Sequence, residues 1–122
     1  MSRVFLILGS LSGCLAVGLG AFAAHALRAR VSPELLAVFE TGARYHMYHA
    51  LALIAVAWVS AGGVRSAATA AGWLFVAGTV LFSGSLYLLT LTGQRWLGAI
   101  TPFGGVLFLL GWLALALAGW RE

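Results

Sequence analysis

The chain of 122 residues contains no lysine and no aspartate. Only 8% of it is charged, where a soluble domain carries about 25%. With 62% hydrophobic residues, a water-soluble fold of this size could not hide its apolar surface, so the bilayer must be part of the solvent. With only three acidic residues, all glutamates, there is no membrane-embedded carboxylate pair and no Ser-His-acid arrangement. The expected protein is therefore not an enzyme. A lone cysteine, Cys14, excludes an intrachain disulfide and reads as a small packing residue. Seven scattered arginines give a formal net charge of +4. They stand at the ends of apolar runs, which suits headgroup contact. A nucleic-acid surface would need them clustered on one face. Ser2 occupies the place where myristoylation needs glycine, and the final residues offer no cysteine for prenylation.

What remains is four apolar runs, at about 4–26, 45–60, 67–91 and 97–119. The first is longer and richer in glycine than the ~7–15 residue core of a signal peptide, so it is expected to be retained as a helix. Each run can cross a ~30 Å hydrocarbon core at 1.5 Å per residue, the second with help from the segment before it. The runs are continuous rather than alternating, which excludes a β-barrel. The expected fold is all-α: an integral membrane four-helix bundle in one domain, 1–122, with both termini on one side, here called the near side.

The loops are short except the first. Gly62-Gly63 and Thr92-Gly93-Gln94 are breaks. Ser32-Pro33-Glu34 is a helix start, with a capping serine, a first-turn proline and an acid near the positive end of the dipole. Leu35, Leu36, Val38 and Phe39 then give an apolar side, and Glu34, Glu40 and Arg44 a polar one. This predicts a short amphipathic interfacial helix over about 33–44 that runs on into the second span.

Four spans put Arg3, Ser60, Arg65 and Arg121 on the near side, with Trp58, Trp73 and Trp120 as belt aromatics. All three histidines, His25, His46 and His49, then fall in the far leaflet, and an ionisable group in a membrane is a functional suspect. Small residues, among them Gly9-x-x-x-Gly13, the row Ser12, Ala16, Gly20 and Ala24, and Gly78, Gly84, Gly104, Gly105 and Gly111, predict close helix packing. Thr101-Pro102 reads either as a kink or, preferred here, as a fresh helix start preceded by an apolar turn over 97–100.

Within this frame His46 and His49, three apart, share a helix face and form half of a metal site if His25 or Glu40 joins them. His25 and His49, placed at similar depth, are a pair for axial haem ligation. Tyr45 and His49 are four apart and can stack. Thr79, Ser83 and Tyr87 form a polar row that lines a small cavity together with His25. The structural alternative is a set of interhelical hydrogen bonds worth roughly 0.5–2 kcal/mol each.

Four segments carry a resemblance: 20–27 (GAFAAHAL), Tyr45 with 49–52 (HALA), 78–87 (GTVLFSGSLY), and Thr101-Pro102-Phe103-Gly104-Gly105 with Gly111-Trp112. Through them the chain resembles, nearly end to end, the small membrane proteins of domain of unknown function 423, similar to transmembrane protein 256 of eukaryotes. The resemblance implies a four-helix protein of the cell membrane, the inner membrane if the source is Gram-negative. It supplies no activity. Two positions depart from the family pattern: Ala23 stands where glycine is usual, and His46 where glutamine is usual. The polar set that matches the family is His25, Tyr45, His49, Ser83, Ser85, Tyr87 and Thr101. The expected function is non-enzymatic: binding a lipid-like or small hydrophobic ligand, or docking on a larger membrane complex. Membrane lipids and a homo-oligomer are the expected partners, with no nucleic acid, no metal and no cofactor. The alternatives are an oligomeric transporter or channel subunit, and a haem- or metal-binding redox protein.

Overall fold

The computed structural model describes residues 2–63 and 66–120; Arg65 and Arg121, expected on the near side, lie outside them. Among the described residues every regular element is helical. They are α1 (Ser2–Ala24), a 3-10 turn at Leu27–Ala29, α2 (Pro33–Ser60), α3 (Ser66–Thr92), a 3-10 turn at Arg95–Ala99, and α4 (Thr101–Trp120). Three stretches are long and apolar enough to cross a membrane: Ser2–Ala29, Ser66–Thr92 and Arg95–Trp120.

Helix α2 begins where its chemistry directs. The Leu35 N–H donates to the Ser32 hydroxyl at 3.2 Å, and Pro33 fills the first helical position, where no N–H is needed. The amphipathic segment over 33–44 runs on into the second span, as expected: it is the first half of one unbroken helix of 28 residues. Side chains of α3 bond its backbone. Thr90 Oγ1 donates to the Leu35 carbonyl at 3.2 Å and Ser83 Oγ to the Gly42 carbonyl at 2.7 Å. Phe39, fully buried, packs its ring 4.7 Å from Tyr87 and 5.9 Å from Phe22. The apolar side of the segment thus packs on α1 and α3.

The helices pack in chain order, α1 on α2, α2 on α3 and α3 on α4. Phenylalanines seat on glycines of other helices, between α1 and α3 and between α3 and α4. A Cβ at Gly72 would lie 2.4 Å from the Phe5 ring, one at Gly78 2.5 Å from Phe108, and one at Gly111 2.6 Å from Phe75. Lipid offers little hydrophobic contrast, so such close contact is what holds the helices together. The expectation of packing fails at Gly20 and Gly84, where an added Cβ meets nothing within 4 Å.

Gly93 ends α3 with φ 74° and donates its N–H to the Leu89 carbonyl at 2.8 Å, a left-handed stop that glycine adopts without strain. The turn at Arg95–Ala99 then buries Leu97, and α4 starts afresh at Thr101-Pro102, the preferred of the two readings. The Thr101 hydroxyl reaches across to Ser85 at 2.6 Å, tying α4 to α3. Thr101→Val should cost about 0.5–1.5 kcal/mol in SDS-titrated unfolding, the usual worth of one interhelical hydrogen bond in a membrane; a neutral result would mean that the pair contributes nothing.

Candidate functional site

His46 and His49 leave one stretch of α2 in different directions. His49 is 3% exposed and points toward α4. Its ring lies parallel to that of Phe108, with centroids 3.5 Å apart and planes 5° apart; Phe75 and Trp112 pack around it at 5.5 and 5.8 Å. Its Nδ1–H donates to the Tyr45 carbonyl at 2.7 Å, and its Nε2 accepts from the Trp112 indole N–H at 3.1 Å. Indole is a donor only, so this pair of bonds assigns the neutral ring with its hydrogen on Nδ1. Both nitrogens are spent. Tyr45 lies over this box, stacked with His49 at 6.4 Å and tilted against Phe82 at 5.0 Å.

His46, 4% exposed, points toward α1 and α3. Its Nδ1 bonds the Tyr87 hydroxyl at 2.9 Å and its Nε2 the Ser12 hydroxyl at 2.9 Å. One imidazole thus joins three helices. Beside it a crevice of about 460 Å³ opens between α1 and α3, floored by α2. Helices α1 and α3 meet at one end, where Phe5 contacts Gly72 and Trp73. At the other end Phe22, Phe39 and Tyr87 close the space. Leu8, Leu11, Leu15, Val76 and Val80 form much of its apolar lining, and its polar groups are Ser12, His46, Thr79, Ser83 and Tyr87. Ser12 lies about 15 Å along α1 from Ser2 and about 18 Å from Ala24, at 1.5 Å per residue, so the polar patch sits near the helix midpoint.

The expected polar set is therefore divided. Tyr45 and His49 belong to the aromatic box on the α4 side. Ser83 and Tyr87 line the crevice. Ser85 and Thr101 bond each other, and Ser85 also donates to the Phe82 carbonyl at 2.9 Å. The placing of all three histidines together is corrected. His25 ends α1 exposed, bonded through Nδ1 to the Ala21 carbonyl at 2.8 Å, about 20 Å along the chain axis from the level of Ser12. It lines neither site and does not match His49 in depth. The His46–His49 pair does not form either, because the two rings bond to different helices. Among the described residues no three His, Cys, Asp or Glu side chains gather as a metal site.

Two residues escaped the sequence reading. Ser12 was legible only as one of a row of small residues. His46 departs from the family pattern, yet it is the hub; glutamine, which both donates and accepts, offers the same two kinds of bond. Ser12 Oγ and His46 Nε2 also have the separation of a nucleophile and its base. Their third partner is a phenol rather than a carboxylate. Ser12 lies inside a helix whose N–H groups are engaged, so no backbone donors are free to hold an oxyanion.

Residues 19–105 match the family described as "Protein of unknown function (DUF423)". The chain is 52% identical over 118 residues to the UPF0382 membrane protein YwdK of Bacillus subtilis, covering 95% of each chain. To a UPF0382 membrane protein of Staphylococcus aureus it is 47% identical over 119 residues, 98% of this chain and 97% of that one. To one of Staphylococcus epidermidis it is 49% identical over 116 residues, 95% and 94% of the two chains. No solved structure matches.

Proposed function

The chain belongs to the DUF423 family and is a multi-pass membrane protein, and from that premise we propose that it binds a lipid-like molecule in the crevice between α1 and α3. The observation that carries this reading is a polar array at helix mid-depth, Ser12–His46–Tyr87, beside an apolar space that faces the lipid. Polar groups at that depth are costly, and here Ser12 and Tyr87 stay partly exposed where the crevice opens. In this reading α2 is the fourth crossing. Its midpoint, His46, lies at the level of the α1 midpoint, and it runs antiparallel to α3 through the Leu35–Thr90 and Gly42–Ser83 bonds. In this reading the site serves binding, with hydroxyl and imidazole groups as the polar part of its lining.

Native mass spectrometry of gently extracted protein tests the reading. The wild type is expected to carry a lipid-like adduct. Gly84 lines the crevice and an added Cβ there meets nothing within 4 Å, so Gly84→Phe is the variant expected to fill it. The plugged protein should lose the adduct by about tenfold or more, equivalent to about 1.4 kcal/mol, or two buried methylenes. Equal occupancy in both proteins, or a bare wild type, defeats the proposal. Labelling of Ser12 by a fluorophosphonate would replace binding with catalysis.

A further inference from the structure

We infer that the crevice takes a neutral, apolar molecule carrying a hydrogen-bond acceptor of the carbonyl class, such as an alkylated quinone, with that acceptor held at the middle of the bilayer. The inference rests on the crevice being a binding site, as proposed above, and adds the chemistry of what binds.

It follows from counting hydrogens. Ser12, a neutral His46 and Tyr87 together carry three polar hydrogens: two hydroxyls and one ring N–H. The array makes two hydrogen bonds among them. If Nε2 carries the ring hydrogen, His46 donates to Ser12 and accepts from Tyr87, and the Ser12 hydrogen is left over. If Nδ1 carries it, His46 donates to Tyr87 and accepts from Ser12, and the Tyr87 hydrogen is left over. Either tautomer leaves one donor without an acceptor, and both Ser12 and Tyr87 line the crevice. The other lining hydroxyls are spent, Thr79 on the Phe75 carbonyl at 2.8 Å and Ser83 on the Gly42 carbonyl at 2.7 Å. The crevice therefore offers one spare donor hydrogen, in surroundings where an unpaired donor is costly.

That selects the ligand. A carbonyl oxygen accepts the hydrogen and asks for nothing in return. A carboxylate or phosphate would need a cation, and no arginine lines the crevice. The ester carbonyls of a phospholipid stay near the interface, about 15 Å from the centre of a ~30 Å core. A plain acyl chain fills the space but leaves the donor unpaired.

The test uses the full chain in lipid nanodiscs and two probes with the same tail, decylbenzoquinone and decylbenzene. Binding is measured as saturable uptake above that of empty discs. The quinone should bind about fivefold or more tightly than decylbenzene, because it satisfies a donor otherwise left bare. The combined variant Ser12→Ala, His46→Leu, Tyr87→Phe removes every partner of the array at similar volume, a kind of change that is often nearly neutral for folding. In it the quinone should fall to the level of decylbenzene. Equal binding of the two probes to the wild type overturns the acceptor inference while leaving the crevice intact. Preference retained in the combined variant also overturns it, because the donor then lies elsewhere. If neither probe binds saturably and Gly84→Phe changes nothing, the binding site itself is refuted.

Discussion

Replacing Gly104 with alanine should separate α4 from α3. A Cβ at Gly104 would lie 2.4 Å from the backbone nitrogen of Phe82 and 2.8 Å from its Cα and Cβ. Those atoms belong to the α3 backbone and cannot rotate away as a side chain can, so the helices must part. Parting costs contact along the whole joint, because the Phe108 ring on Gly78 and the Phe75 ring on Gly111 depend on the same approach. Overpacking in a tight core costs about 1–3 kcal/mol, and the upper end applies where backbone is the obstacle. The neighbouring Gly105 is the control: a Cβ there meets only the Phe82 ring edge at 3.9 Å, ordinary contact. Gly105→Ala should stay within about 0.5 kcal/mol of wild type. SDS-titrated unfolding of the two variants side by side decides the matter; equal midpoints would mean that close approach at Gly104 does not hold the joint.

His49→Ala is expected to be the second severe change, at about 3–5 kcal/mol. It removes a ring stacked at 3.5 Å on Phe108, leaves a cavity among Phe75, Phe108 and Trp112, and strands the Trp112 indole N–H. His49→Phe separates these effects. It keeps an aromatic ring in the box but removes the acceptor for Trp112 and the bond to the Tyr45 carbonyl, so only the lost hydrogen bonding should register, at about 1–3 kcal/mol. Thermal unfolding in detergent ranks the two, and near-ultraviolet circular dichroism reports whether Trp112 stays fixed. If alanine costs no more than phenylalanine, the stacked box contributes nothing and His49 must be explained otherwise. The crevice array should respond differently: its combined apolar variant is expected to fold well and change only what binds. The two histidines, three residues apart, therefore have opposite signatures, one in stability and one in ligand preference.

Much of the backbone was legible in advance because its signals are local. The Ser32-Pro33 start of α2, the Gly93 stop and the restart at Thr101-Pro102 each act within one helical turn. The membrane class follows from composition alone, since chain chemistry of this kind cannot be solvated by water. The polar partners were not legible in this way. Ser12 and Tyr87 stand 34 and 41 residues from His46, and nothing near any of the three names the others. The amphipathic pattern over 33–44 was read correctly as two-sided, but the pattern does not say whether the apolar side meets lipid or protein. Here Phe22 and Tyr87 take it.

By itself the sequence determined a membrane protein of apolar helices with their starts and stops, because solvation and capping depend on residue type and near neighbours. Only the tertiary structure decided which way each histidine turns. His46 and His49 are about 60° apart on α2, and that angle points one of them to α1 and α3 and the other to α4. The direction of each depends on how neighbouring helices rotate and approach, and that is set by which glycines admit which phenylalanine rings.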